Sequence, residues 1–369
     1  MKNGWIYKKL GDICSVNYGT RVVQKKDKGS KYYVYGGGGA TFMVDTYNRE
    51  DCFVVARFAM SPKCTRFVSG KFFLNDSGLS VSTKSTKLLQ SFVNKVLLAN
   101  NDTIYNMGKG MAQKNLDMPS FRNLDIPVPP LQEQERIVAE LDLLTGIIDK
   151  QKQQLKELDT LAQSIFYDMF GNPVENDKGW EKKQIGKICA SKKQIQRASK
   201  RFKDSDIIRY IDISSIDNIN NVMTSTTSYG FGDAPSRAQQ VVEIGDVLIS
   251  LVRPNLNNVA MVSEDGTDLV ASSGFCVLRA NCEIVKEFLF YSVKMKCFTD
   301  YLMQRVSGAN YPAVREDDIT GYNIILPPLE LQESFAKKIQ SIESQKDSIN
   351  RSIAESQKIF DYTMNKYLG

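Results

Sequence analysis

Six cations crowd into a dozen residues, Lys192, Lys193, Arg197, Lys200, Arg201 and Lys203, interleaved with Gln194 and Gln196. Eight more, Lys25, Lys26, Lys28, Lys31, Lys63, Arg66, Lys109 and Lys114, are spread through the first third of the chain. Lysine and arginine clusters neutralise phosphates, and Arg, Lys, Asn and Gln make bidentate contacts with guanine or adenine edges in a major groove. A basic run taken alone is as readily a solvated face, so these clusters need support from the rest of the chain. The eight cations of the first third suit phosphates, which position a protein on a duplex without encoding sequence. Arg57 and Arg253 each follow an apolar, strand-like stretch and suit either a core acid or DNA. Gly110-Met111-Ala112-Gln113 and Gly308-Ala309-Asn310-Tyr311 are Gly-bearing turns in which Gln113, Asn310 and Tyr311 suit a base.

Residue types exclude much other chemistry. The absence of histidine removes Ser-His-Asp and Cys-His nucleophile systems, HExxH metalloprotease helices and Cys2His2 zinc sites. Cys14, Cys52, Cys64, Cys189, Cys276, Cys282 and Cys297 form no CxxC pair. Such an odd, scattered set, with no signal peptide, reads as reduced and mostly buried thiols in a cytoplasmic protein. No apolar run approaches the ~20 residues that cross a bilayer, so no membrane partner is expected. Tyr35-Gly36-Gly37-Gly38-Gly39-Ala40 lacks the lysine of a phosphate-cradling loop and reads as a flexible turn. Gly171-Asn172-Pro173-Val174 is not the Asn/Asp-Pro-Pro-aromatic motor of an adenine methyltransferase, and Glu316-Asp317-Asp318 reads as a helix N-terminal cap rather than a metal site. No catalytic constellation and no metal site remain.

What must position the cations is an internal repeat. Gly4-Trp5 followed by Leu10-Gly11-Asp12-Ile13-Cys14 returns as Gly179-Trp180 followed by Ile185-Gly186-Lys187-Ile188-Cys189. Pro129-Pro130-Leu131 with Gln134-Glu135 returns as Pro327-Pro328-Leu329 with Gln332-Glu333. The shift grows from 175 to 196 already at Asp76-Ser77-Gly78, which matches Ser272-Ser273-Gly274, and to 198 at the Pro-Pro, which places the extra length of the second copy near its start, within about 190–240. After each Pro-Pro a heptad seam runs without a slip. The first comprises Ile137, Leu141, Leu144, Ile148, Gln151, Leu155, Leu158, Ala162, Ile165 and Met169. The second comprises Phe335, Ile339, Ile342, Lys346, Ile349, Ile353, Ser356, Phe360, Thr363 and Tyr367, softened by Lys346, Ser356 and Thr363. An apolar stripe on a helix of roughly 58 Å cannot stay exposed in water, and the simplest partner for each helix is the other. The bland alternative is a core helix in each of two ordinary domains. The globular parts read as mixed α/β, with Cys52–Ala56 and Val247–Val252 as buried strands and Leu88–Ala99 and Lys286–Arg305 as helical. Residues 1–125 hold 19 basic and nine acidic side chains, whereas 171–325 hold 19 of each. The first globular part is thus the cationic one, and in the second the cations gather near its start.

The duplicated Pro-Pro-Leu-x-x-Gln-Glu helix start, the Gly-Trp…Leu/Ile-Gly-x-Ile openings and the order of parts resemble the specificity subunit of a type I restriction–modification system. The resemblance spans the whole chain. It implies an α+β fold: two mixed α/β target recognition domains, 1–128 and 172–326, separated by two long antiparallel coiled-coil helices, 129–171 and 327–369, in a pseudo-twofold repeat. It implies a scaffold that performs no chemistry and reads a bipartite site on double-stranded DNA, one half-site per domain. Two modification subunits carrying S-adenosylmethionine and two restriction subunits using ATP and Mg would dock on it. The second helix has Leu331 and Ser334 where the first has Glu133 and Arg136, so its docking contacts are expected to differ. On this reading Gln113→Ala and Asn310→Ala each alter preference in one half-site only. The competing readings are a coiled-coil adaptor with no DNA role and a stand-alone DNA-modifying enzyme.

Overall fold

A computed structural model describes residues 5–190, 194–307 and 312–368. Lys192, Lys193, Asn310 and Tyr311 therefore lie outside the described residues. The chain divides into two compact units, residues 1–153 with 350–369, and residues 154–349.

The first unit is bracketed by its own ends. Ile6–Lys9 pairs antiparallel with Asp125–Val128, and the short helix that follows, Leu10–Ile13, packs against Met118–Arg122. Gly11 lets the two helices approach closely, since a Cβ would sit 3.1 Å from Arg122 Cβ and 3.3 Å from its carbonyl oxygen. Between the brackets lies a six-stranded sheet in the order Cys14–Tyr18, Gly78–Thr83, Arg49–Ala56, Thr65–Leu74, Tyr32–Tyr35, Ala40–Val44. The central strand Arg49–Ala56 ends in four consecutive buried residues, as a strand covered on both faces must. Helix Gln90–Ala99 lays Phe92, Val93, Val96 and Leu97 on the sheet. The Gly36–Gly39 segment departs from the flexible turn read in the sequence. It is a packed turn, with Gly36 and Gly37 buried; a Cβ on Gly37 would lie 2.4 Å from the Phe58 carbonyl oxygen.

The second unit repeats the bracket. Glu181–Gln184 pairs with Asn323–Leu326, and helix Ile185–Ile188 packs on Glu316–Thr320, with Gly186 as close to Thr320 as Gly11 is to Arg122. Inside are a four-stranded sheet (Thr227–Gly230, Ile207–Ile211, Leu269–Ser272, Ala238–Val241) and a three-stranded one (Val259–Met261, Val247–Ser250, Phe275–Leu278). The Lys286–Arg305 run is not one helix but two, Lys286–Lys294 and Lys296–Met303, broken where Met295 turns extended at ψ 148°. Glu316-Asp317-Asp318 occupies a helix first turn, where Asp318 Oδ2 accepts from the Arg315 N–H.

Both Pro-Pro sequences open 40-residue helices, Leu131–Phe170 and Leu329–Leu368. The first stops at Gly171, whose φ of +76° is the left-handed conformation that ends helices cheaply only at glycine. Within each unit the two helices run antiparallel. In the first, Arg136 donates to the Tyr367 hydroxyl (3.2 Å) and Gln151 to Ser352 Oγ (2.6 Å), so partner numbers fall as residue numbers rise. In the second, Lys346 Nζ meets Asp159 (2.7 Å), and Phe335 meets Phe166 and Phe170 edge-on. Ile137, Leu141, Ile148, Ala162, Phe335, Ile339, Ile342, Lys346, Thr363 and Tyr367 are buried. Leu144, Gln151, Leu155, Leu158, Ile165, Met169, Ile349, Ile353, Ser356 and Phe360 are half-buried. No seam position is exposed. The strict seam omits Phe166 and Phe170, both fully buried, because near the domains the helix acquires a second, globular partner and its apolar face widens.

Candidate nucleic-acid interface

In the first unit the candidate residues fall on three loops. Lys25, Lys26, Lys28 and Lys31 are exposed on the segment between Cys14–Tyr18 and Tyr32–Tyr35. Arg57 and Lys63 lie between Arg49–Ala56 and Thr65–Leu74, and Arg66 stands in the second of those strands. Lys109, Gln113 and Lys114 belong to a hairpin formed by Gly108–Lys109 and Asn115–Leu116. The fold joins the last two loops: Leu116 N–H donates to the Arg57 carbonyl (2.8 Å) and Met60 N–H to the Lys114 carbonyl (3.0 Å). Gln113 and Met111 are exposed at the hairpin tip, made possible by Gly110 at φ +117°. A Cβ on Gly110 would come 2.3 Å from the Gln113 carbonyl oxygen.

The cations are not equivalent. Lys109 Nζ is 2.8 Å from Asp117. That contact, with Ser120 donating to the same carboxylate, draws the Asp117 pKa down to about 2. Lys114 Nζ sits 4.0 Å from the centroid of the Tyr105 ring. Arg66 donates to the Gly37 and Lys63 carbonyls, which clamps the glycine turn. Arg57 stacks over the Phe58 and Tyr18 rings, and no side-chain hydrogen bond or ion pair holds it among the described residues.

The second unit builds a comparable corner. Arg253, at φ +51°, donates its N–H to the Pro312 carbonyl (2.7 Å), and Val314 N–H donates to Leu251 (2.9 Å). The loop after a central strand is thereby tied to the segment just beyond 308–311, as the Arg57 loop is tied to the Gln113 hairpin. The basic cluster alternates inward and outward: Ile195 and Ala198 are buried, while Gln194, Gln196, Arg197, Lys200, Arg201 and Lys203 are exposed. Gln194, Gln196, Arg197 and Lys200 line an open groove of about 650 Å³ with Gln239, Gln240 and Ser273. Sequence reasoning missed the latter three because no cation adjoins Gln239 and Gln240 and Ser273 is far away in the chain. Gln240 is committed to the fold, donating to the Ser272 (2.9 Å) and Phe275 (3.0 Å) carbonyls.

The repeated glutamine has a clear role. Gln134 is wholly buried; its Oε1 accepts from Leu89 N–H (2.8 Å), and its Nε2 donates to the Pro129 (2.8 Å) and Lys87 (3.0 Å) carbonyls. Gln332 does the same with Val285 N–H (2.9 Å) and the Pro327 carbonyl (2.7 Å). The motif's glutamine thus pins each globular unit to the helix that leaves it. The departures in the second copy have local causes: Leu331 packs on the second core, while Glu133 and Arg136 form an ion pair of 2.7 Å. Among the described residues no three or more Cys, Asp or Glu side chains gather where a metal could sit, and no helix is long and apolar enough to cross a membrane.

The model of the type I restriction modification DNA specificity domain matches residues 2–160 and again 177–357. The MjaVIII type I restriction enzyme specificity subunit of Methanocaldococcus jannaschii is 26% identical over 304 residues, 75% of this chain and 70% of the relative. The HindI specificity subunit of Haemophilus influenzae is 24% identical over 159 residues, 42% of this chain and 33% of that one. A crystal structure of a type I restriction-modification S subunit from M. genitalium covers 99% of this chain and 97% of its own, with a TM-score of 0.57 and 14% identity. A structure concerned with complex assembly and conformational transition of the type I system covers 99% and 98%, with a TM-score of 0.50 and 18% identity. Two specificity domains, each locked by a buried glutamine to a 40-residue helix, make this chain a member of the specificity-subunit family of type I restriction–modification systems.

Proposed function

We propose that this chain is the sequence-reading scaffold of a type I complex and catalyses nothing itself. Each unit reads one half of a bipartite duplex site. The loop pair carrying Arg57 and Gln113 serves the first half, and the groove lined by Gln194, Gln196, Arg197 and Lys200, together with the Arg253 loop, serves the second. Exposed lysines such as Lys25, Lys26 and Lys28 engage phosphates. The helices keep the half-sites a fixed, unread distance apart. Two modification subunits, holding S-adenosylmethionine, methylate adenines at the positions so selected; two restriction subunits use ATP and Mg for cleavage. The observation that carries this reading is the duplication itself: two helix-mounted units, each offering polar and cationic loops at a like place in its fold.

The test compares methylated adenines in genomic DNA from a host carrying the chain with those in a strain lacking it. A two-part motif with a constant gap, present only with the chain, is the expected result. Identical methylation in the two strains, with the modification subunit produced in both, refutes the proposal.

A further inference from the structure

Among the described arginines of the first unit, Arg49, Arg57 and Arg66 are half-buried, and Arg49 and Arg66, like the exposed Arg136, are engaged by the protein. Arg49 donates to Ser80 Oγ and to the Asn48 and Tyr18 carbonyls; Arg66 donates to two carbonyls; Arg136 holds Glu133 and Glu140. Arg57 differs. Its Nε is buried with no hydrogen-bond partner, and no carboxylate answers its charge among the described residues. A buried donor without a partner is costly, so its retention calls for a reason.

The surroundings fix the guanidinium rather than neutralise it. The Arg57 N–H donates to the Ser77 carbonyl (2.8 Å) and its carbonyl accepts from Leu116 N–H (2.8 Å), so the backbone is held from both sides. Its Cζ lies 3.9 Å from the centroid of the Phe58 ring and 4.9 Å from that of Tyr18. Rings this close hold a guanidinium by cation–π attraction, and the two Nη groups, which unlike Nε are not buried, are left for recognition. Both rings are themselves partly open to solvent, 41% for Phe58 and 46% for Tyr18, so the site lies at the surface. The polar tip of the Gln113 hairpin is bonded to the same loop.

We infer that Arg57 reads a guanine in the half-site of the first domain, its fork donating to O6 and N7. This assignment rests on the DNA-reading function proposed above and names one base contact within it. Guanine is the one base whose major-groove edge presents two adjacent acceptors to such a fork. Phosphate contact is the weaker assignment, because the nearby exposed lysines serve that purpose without a fixed orientation or a desolvated donor.

The experiment uses the full chain assembled with its modification subunits and measures methyl transfer into duplexes in which every position of each half-site is varied singly. The wild-type complex is expected to demand guanine at one position of one half-site. Arg57→Lys, which keeps the charge and loses the fork, and Arg57→Ala are expected to relax that demand by about fivefold to a hundredfold, the range of one bidentate contact. The other half-site stays as strict as before. Should Arg57→Ala fail to assemble, Phe58→Leu leaves the fork but removes its nearer ring and is expected to relax the same base by less. Three results overturn the inference: an unchanged motif in Arg57→Lys, equal weakening on all sequences with a shallower salt dependence, or a wild-type motif lacking guanine in the affected half. Wild-type methylation that ignores sequence refutes instead the DNA-reading function.

Discussion

Replacing Gln134 by alanine is the sharpest test of how the domains are joined to the helices. The substitution removes an acceptor for Leu89 N–H and a donor for the Pro129 and Lys87 carbonyls in a place water does not reach. An unmet buried polar group costs about 1–3 kcal/mol, less for a carbonyl that keeps another partner. Three such groups together with the small void give about 3–5 kcal/mol. Gln332→Ala strands only Val285 N–H and the Pro327 carbonyl and should cost less, about 2–4 kcal/mol. At about 2–4 °C per kcal/mol for units of this size, calorimetry should show melting lowered by about 6–20 °C for Gln134→Ala and about 4–16 °C for Gln332→Ala, each variant acting on the transition of its own unit. Gln134→Glu retains the acceptor but sets a carboxyl against two carbonyls, which raises its folded pKa above the unfolded value near 4.3. Its folded state then holds a proton that the unfolded chain releases, so stability should fall as pH rises from about 4 until the folded-state pKa is passed. Alanine variants that melt within about 1 kcal/mol of wild type would refute the clamp and return the glutamines to a role at some outer surface.

Gly11→Val and Gly186→Val should each destabilise their own unit by about 1–3 kcal/mol, since even a Cβ at these positions lies 3.1 Å from a neighbouring side chain; unchanged melting would show that the paired short helices can part freely. Inserting seven residues near Gln153 and seven near Asn350 lengthens both helices by about 10 Å, up to three base-pair rises, and should lengthen the spacer in the methylated motif. A spacer of unchanged length would show that the helices do not set the gap. Burial pushes the thiol of Cys14 up to about 11 and that of Cys189 up to about 12, so neither forms the reactive thiolate at pH 8. A thiol reagent should label exposed Cys282 rapidly and those two only on unfolding, and equal rates for all three would contradict the packing.

The parts of the fold legible in the sequence are those whose physics is local or repeated. The heptad seam needs only spacing, and the Gly11 and Gly186 motifs show as a repeat before their reason is known. The role of Gln134 is different, because its partners Leu89 and Lys87 lie 45 and 47 residues away and only the fold assembles them. The break at Met295 also has no sequence mark: neither glycine nor proline stands there, and helix Lys296–Met303 starts where the backbone turns extended. The six-stranded sheet places Gly78–Thr83 between Cys14–Tyr18 and Arg49–Ala56, a pairing that loop lengths do not specify. In the sequence Arg57 suits a core acid and DNA equally for the same reason. Its surroundings, the rings of Tyr18 and Phe58 with no carboxylate paired to it among the described residues, are assembled by the fold, and Tyr18 lies 39 residues upstream.

The polar residues that soften the second seam acquire a purpose from their partners. Lys346 is only 8% exposed, yet its ammonium lies 2.7 Å from Asp159 and 3.0 Å from Glu343, and Tyr291 donates to that glutamate at 2.8 Å. Lys294 also reaches Asp159, at 3.5 Å, with its own pKa held down chiefly by burial. Apolar heptads tolerate sliding, because one leucine layer resembles the next, whereas a charge at a seam position is satisfied in a single alignment. A slip of one heptad would bring Lys346 opposite either Lys152 or Phe166 in place of Asp159, leaving the ammonium only Glu343 of its own helix and facing a like charge or a ring. Losing the partner of a buried charge costs several kcal/mol. The network therefore gives up some apolar packing to fix one register, and the spacer of constant length proposed above requires helices that do not slide.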